Sequence, residues 1–137
     1  MDNKKLADLL FPNNKFTVEE IEKKYPKRNL KEGAEVTRFA PSPTGFMHIG
    51  GFFQAIIDKN IAKRSDGVFM LRIEDTDKKR EIIGASTIIL EVLKRYDCMP
   101  DEYEEKGVQV VGNYGPYFQS EREEYYKAYA KKLVSEG

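Results

Sequence analysis

Cysteine and histidine are almost missing from this 137-residue chain, where Cys98 and His48 are the only ones. One thiol cannot close an internal disulfide, and one thiol with one imidazole cannot build a structural zinc cage. The fold must therefore hold without cross-links, and a reducing compartment fits the composition. Long apolar runs are missing too. The uncharged run Ile82 to Leu90 is about half of the ~18 residues that a membrane span needs, and the longer uncharged stretch of residues 39–57 is broken by Pro41, Pro43, Gly45, Gly50 and Gly51. No apolar signal region follows the polar residues 1–5, so the reading is cytoplasmic, with no membrane partner. Net charge is also absent, since 23 Lys and Arg balance 23 Asp and Glu. That removes the overall basic footprint of a self-sufficient nucleic-acid binder and leaves room only for a local patch. There is no internal repeat and no low-complexity segment. What is present, 40% hydrophobic and 34% charged residues, suits one ordinary domain or part of a larger one, able to bury roughly two-thirds of its unfolded surface.

Residues 1–34 are polar and broken by Pro12, Pro26 and Gly33. They read as a short helical N-terminal extension packed on the main domain. One helix is expected around Leu6, Leu9 and Leu10. A second opens at Thr17, whose spacing to Glu20 is that of a capping box, and stops before Pro26. From residue 35 the pattern changes. Val36, Arg38 and Ala40 alternate with Thr37 and Phe39 in a short strand that runs into a turn-rich loop. Ile49, Phe52, Phe53, Ile56, Ile57 and Ile61 follow at helical spacing, with Asp58, Lys59, Lys63 and Arg64 opposite. Asp66 and Gly67 turn the chain into Val68, Phe69, Met70, Leu71 and Ile73, an apolar run that suits a parallel strand covered on both faces. A helix is expected from about Ile82 to Tyr96 with Ala85, Ile89, Val92 and Leu93 inward. An irregular loop over residues 97–118 follows, with a short strand at Val108 to Val111. A last helix is expected to be capped by Ser120, with Glu123 three residues on and Tyr126, Tyr129, Ala130 and Leu133 forming its apolar face. The order strand, loop, helix, strand, helix predicts an α/β fold, a Rossmann-like parallel sheet with flanking helices. Ligands of such a sheet sit where strand ends meet helix starts.

The segment VTRFAPSPTGFMHIGG, residues 36–51, carries the chemistry. Pro41 and Pro43 stiffen the loop, while Gly45, Gly50 and Gly51 let a flat or charged ligand approach the backbone. The helix that opens near Ile49 presents unpaired N–H groups and a positive dipole end, a site for phosphate, and His48 stands at the same terminus. The pattern matches neither GxxxxGK[ST] nor GxGxxG. On these residues alone a tight turn with His48 as a helix cap explains the segment about as well as a ligand site does.

APSPTG followed by HIGG strongly resembles the first signature of the class I aminoacyl-tRNA synthetases, and specifically the glutamyl enzymes. Gly51 stands where most of the class has the last His of its HIGH motif. FMLRIEDTD at residues 69–77 and GPYFQSER at residues 115–122 resemble the same family. The resemblance implies that glutamate attacks the α-phosphate of ATP, which is accompanied by Mg²⁺ as a substrate complex, and that the product is transferred to tRNA(Glu). His48 is the catalytic candidate, and His48, Gly50 and Gly51 are the ATP-binding ones. Arg38, Ala40, Ser42 and Glu74 are implied for glutamate: the Arg38 fork suits a carboxylate and Glu74 suits the ammonium. Asp77 is placed near the tRNA acceptor end. No protein-bound metal is expected, because Asp77 can cap a following helix and Asp75 can order its loop. Lys78, Lys79 and Arg80 are expected at a solvated helix start.

The KMSKS half of the catalytic domain and an anticodon-binding domain have no counterpart in this sequence. Residues 35–137 are therefore expected to be the N-terminal half of a nucleotide-binding catalytic domain, monomeric, inactive alone, and dependent on absent domains for most tRNA contact. A glutamyl-queuosine tRNA-modifying relative and a non-catalytic nucleotide-binding module are the alternatives.

Overall fold

The structure, a computed structural model, describes residues 2–137 as two compact units, one of residues 28–120 and one that joins residues 2–27 to 121–137. In the first unit, β1 (Val36–Phe39) pairs in parallel with β2 (Val68–Leu71), in register from Val36 opposite Val68 to Phe39 opposite Leu71. A parallel pair needs a crossover, and α3 (Ile49–Arg64) supplies it. The return from α3 into β2 runs through Asp66, at φ 52°, and Gly67. Gly67 lies so close to β1 that a Cβ there would sit 1.8 Å from the Glu35 carbonyl oxygen, the acceptor of the Val68 N–H. Beyond β2 come α4 (Ala85–Arg95) and an antiparallel hairpin of β3 (Tyr103–Glu105) and β4 (Gln109–Val111). Single parallel bridges from Met70 to Glu102 and from Ile73 to Phe118 extend the pairing along the β2 segment. The core gathers Phe39 and Leu71 from the strands, Ala55 from α3, Ile89 and Leu93 from α4, and Phe118.

The second unit packs α1 (Asn3–Leu10) and α2 (Val18–Lys24) with α5 (Glu123–Glu136), which follows a 3₁₀ turn at Gln119–Arg122. The capping box is present at both bonds: Thr17 Oγ1 accepts from the Glu20 N–H at 3.2 Å, and Glu20 Oε2 accepts from the Thr17 N–H at 2.8 Å. Val18, Ile21, Tyr125 and Ala128 form its small core.

Several helical faces differ from the sequence expectation. On α3 the fully buried residues are Ala55 and Ala62, with Phe52 and Ile56 half-buried against the core. Small side chains let the helix lie close to the sheet. Ile49, Phe53, Ile57 and Ile61 instead face outward, Ile49 at 81% exposure. On α5 the buried residues are Tyr125 and Ala128, while Tyr126, Tyr129 and Leu133 are exposed. The Tyr125 hydroxyl sets that rotation, because it accepts from Lys24 Nζ at 2.9 Å and pairs with the Tyr25 hydroxyl at 3.1 Å, its ring resting on Phe16. Ser120 does not cap α5; its hydroxyl is engaged elsewhere, and α5 begins after Arg122 with no side-chain cap. α4 starts at Ala85 rather than Ile82, behind Gly84 at φ 82°, and Leu90 joins its buried face. The strand β2 is fully covered on one face only, by Phe69 and Leu71, whereas Val68 and Met70 are half-buried.

The Gly67 contact is with backbone, which cannot rotate away. Gly67→Ala is expected to destabilise the chain by about 2–3 kcal/mol, in the range of overpacking strain, as a lowered midpoint in urea.

Candidate active site

Three backbone bonds lace the loop after β1 onto the segment after β2. The carbonyls of Phe39, Pro41 and Pro43 accept from the N–H groups of Arg72, Glu74 and Ile82 at 3.0, 2.9 and 2.9 Å. Pro41 and Pro43 have no N–H to donate, so their carbonyls carry the pairing and the loop keeps a fixed course. That lacing sets Glu74 beside Arg38. Arg38 Nη1 lies 2.6 Å from Glu74 Oε1, and Arg72 Nη2 approaches the same oxygen at 3.3 Å.

At the far end of the loop the first turn of α3 meets His48. The ring nitrogen Nδ1 accepts from the Gly50 N–H at 3.1 Å and from the Gly51 N–H at 3.4 Å. A nitrogen that accepts two such bonds carries no hydrogen, so the proton of the neutral ring lies on Nε2, free to donate outward. The absence of a side chain at Gly50 is what allows this, since a Cβ there would meet the ring at 3.0 Å. A Cβ at Gly51 would make only ordinary contacts, the nearest 3.5 Å away on Met47.

The loop and the first turn of α3 line a cleft of about 600 Å³, with Ala40, Ser42, Gly45, His48, Gly50 and Gly51 on it among others. Five of the residues singled out from sequence, Ala40, Ser42, His48, Gly50 and Gly51, therefore share one wall. Arg38 and Glu74 are not on that wall. They stand as an ion pair at the β1 end of the same laced loop. Asp77 is also outside the cleft lining and caps no helix. Its carboxylate accepts from Arg80 Nε at 2.6 Å within a turn, and the next helix, α4, starts only at Ala85. Lys78 is accordingly part of a loop, where it pairs with Asp75 and Glu81 at 2.9 Å each. Asp58, on α3, is raised by burial against the opposing charge of Arg38, and its Oδ2 is buried without a hydrogen-bond partner. Among the described residues no three His, Cys, Asp or Glu side chains gather as a metal-holding group.

Asp75, expected from its sequence position only to order its loop, is a hub in the structure. It is 1% exposed and accepts from the Ser120 N–H at 2.8 Å, the Ser120 hydroxyl at 2.5 Å and Lys78 Nζ at 2.9 Å. The Ile73 N–H bonds the Tyr117 carbonyl and the Gln119 N–H bonds the Ile73 carbonyl, both at 2.9 Å, so the two segments lie side by side. Nearby, Glu102 holds Arg28 through two bonds of 2.5 and 2.6 Å and accepts from the Tyr117 hydroxyl at 3.0 Å. Burial and the Glu102 carboxylate push Tyr117 up to about 12, against the opposing Tyr114 N–H bond.

A parallel strand pair, a crossover helix and a cleft at the strands' carboxyl ends define a Rossmann-like α/β unit. The family model for tRNA synthetases class I (E and Q), catalytic domain, matches residues 35–137, and the chain belongs to that family. It is 50% identical over its whole length to the glutamate–tRNA ligase of Clostridium beijerinckii, covering 25% of that relative. It is also 50% identical to the corresponding ligase of Acetivibrio thermocellus, again covering 25% of it. Among solved structures, a glutamate tRNA ligase from Elizabethkingia meningosepticum in complex with its amino acid matches with a TM-score of 0.67 and 43% identity. That match covers 75% of this chain and 20% of the other. The chain thus spans about a quarter of the length of the curated relatives it matches.

Burial pushes the Asp75 carboxyl up, but the two Ser120 donors and Lys78 outweigh it and hold the group below the ordinary range. A carboxyl lowered on folding contributes stability above its unfolded value, near ~4, and loses it as pH falls through the folded value. Asp75→Asn is expected to lower stability near neutral pH by about 2 kcal/mol. The gap from the unaltered chain should shrink as the medium is acidified below about pH 4, as read from urea midpoints across that range.

Proposed function

We propose that the protein of which this chain is part is a glutamate–tRNA ligase. It joins L-glutamate to ATP, brought as its Mg²⁺ complex, to give glutamyl-adenylate and pyrophosphate, and transfers the glutamyl group to the 3′-terminal adenosine of tRNA(Glu). The observation that carries this is the Arg38–Glu74 pair set by the loop lacing next to a cleft that ends on a histidine-capped helix start. A cation and an anion side by side match an amino acid that presents carboxylates and an ammonium. The likeness to named glutamate–tRNA ligases supports the same substrate.

Arg38 takes a substrate carboxylate through its fork and Glu74 takes the ammonium, exchanging their internal pair for two contacts with substrate. Ser42 adds a hydrogen bond from the loop, and Ala40 leaves the floor open. ATP lies over Gly50 and Gly51, where the backbone comes close, with its phosphates toward the α3 terminus. The glutamate carboxylate attacks the α-phosphorus, the bond to the bridging oxygen breaks, and pyrophosphate leaves. The His48 Nε2–H donates to the phosphoryl oxygens as charge builds on them, so catalysis here is positional and electrostatic. Asp77 stands for the acceptor end of tRNA, and the remaining tRNA contacts belong to the longer chain. Residues 35–137 are in this reading the first half of the catalytic domain, preceded by the helical extension of residues 1–34. The outward Ile49, Phe53, Ile57 and Ile61 of α3 then face the remainder of that domain, since a helix apolar on both sides is one covered from both sides.

Pyrophosphate exchange with glutamate, ATP and tRNA tests the reading in the full-length chain. His48→Ala is expected to lower kcat about 10²–10³-fold, the usual loss for a donor to developing oxyanion charge. Arg38→Ala is expected to raise the KM for glutamate about tenfold or more, the loss of one charged hydrogen bond. The isolated 137 residues are expected to show no exchange. Full exchange by His48→Ala, or by the isolated segment, contradicts the reading.

A further inference from the structure

Arg72 is a charged residue beside the Arg38–Glu74 pair to which the proposed chemistry gives no task. It follows β2, two residues beyond Met70, and so stands on the sheet face that also carries Arg38 through the Arg38–Met70 register. Its backbone N–H is spent on the Phe39 carbonyl, and its guanidinium reaches Glu74 Oε1 at 3.3 Å, the oxygen that Arg38 holds at 2.6 Å. Arg72 Nε is buried and has no hydrogen-bond partner. A donor kept dry and unpaired costs free energy, and such a group asks for an explanation.

Two arginines on one carboxylate oxygen acquire a meaning once substrate arrives, a point that rests on the reading of Arg38 and Glu74 as glutamate-binding groups. If Arg38 turns to a substrate carboxylate, Glu74 loses its shorter bond at the moment it has to meet the ammonium. We propose that Arg72 is a positioning residue of the amino-acid site. It keeps the Glu74 carboxylate in place while Arg38 is drawn away, and leaves the three groups with one net positive charge for a substrate of one net negative charge. Arg72 acts through Glu74 and touches neither ATP nor the reacting atoms. Its removal therefore weakens glutamate binding and leaves the ATP step alone. An uncharged amino acid of the same shape, glutamine, has less to lose, so the preference for glutamate over glutamine narrows as well.

The test is pyrophosphate exchange in the full-length chain carrying Arg72→Gln, Arg72→Lys or Arg38→Gln, with the KM for glutamate, the KM for ATP and kcat measured separately. Arg72→Gln should raise the glutamate KM about tenfold while kcat and the ATP KM stay within about twofold. Arg72→Lys, which keeps the charge without the fork, should recover most of that loss and guards against a folding defect in the uncharged variant. A glutamate KM within twofold of the unaltered protein in Arg72→Gln, while Arg38→Gln raises it, overturns the inference and leaves the proposed function standing. A fall in kcat alone, or equal rises in both KM values, also overturns it, because either is what a structural arginine gives. An unchanged glutamate KM in Arg38→Gln removes the reading of the site itself, and the inference with it.

Discussion

The parallel pairing of β1 with β2 does two things that no other contact in this unit could do. It aligns Phe39 with Leu71, and it lets the hydrogen-bond ladder continue past the strand ends, where the carbonyls of Phe39, Pro41 and Pro43 find donors in the second segment. Each proline gives up a donor, yet each keeps an acceptor, and the acceptors are all that this edge of the loop needs. Because the loop is pinned at Phe39, Pro41 and Pro43, Arg38 at its start and Glu74 across from it are held without being buried, while His48 at its end is held by the Gly50 and Gly51 N–H groups. A site that must receive a charged substrate from water needs that combination of exposure and fixed geometry.

The close approach at Gly67 and the Asp75–Ser120 hub serve the same pairing from its two ends. Gly67 lets the chain leave α3 and enter β2 directly against Glu35, which starts the register. Asp75 anchors the segment beyond β2 to Ser120, and the Ile73 backbone joins it to Tyr117 and Gln119, which fixes Glu74 from the far side. The carboxylate of Asp75 has no room for a ligand, since Ser120 and Lys78 already occupy it. Residues next to each other in sequence, Glu74 and Asp75, thus divide the work, one open to substrate and one closed on the frame.

Local signals were readable in the sequence and rotational ones were not. The capping box at Thr17, the stop before Pro26, the turn at Asp66 and Gly67 and the short strand near Val111 depend on residues within a few positions, so spacing sufficed. The facing of α3 depended on which side of the helix the sheet could approach most closely. Counting large apolar residues pointed to Ile49, Phe53, Ile57 and Ile61, whereas close packing chose Ala55 and Ala62. α5 turned on one hydroxyl, because Tyr125 gains its partners Lys24 and Tyr25 from about a hundred residues away in the chain. Ser120 had the spacing of a cap but met a buried carboxylate instead, and Asp77 closed a turn with Arg80 where a helix start was expected. In the candidate site, residue types alone left the loop, its glycines and His48 balanced between a turn with a helix cap and a ligand site, and only the family resemblance tipped that balance. The sharing of Glu74 between two arginines was not evident, since Arg72 has the look of an ordinary strand residue until its register is known.

Glutamate binding in the proposed site turns on one exchange, in which the Arg38–Glu74 pair opens and its two ends take the two kinds of charge on glutamate. A crystal structure of the full-length chain with a non-hydrolysable glutamyl-adenylate analogue reads that exchange directly. Arg38 is expected in a forked contact with a carboxylate of the analogue, Glu74 against its ammonium and still touched by Arg72, and the nucleoside against Gly50 and Gly51. An analogue bound with the Arg38–Glu74 pair still closed would contradict it.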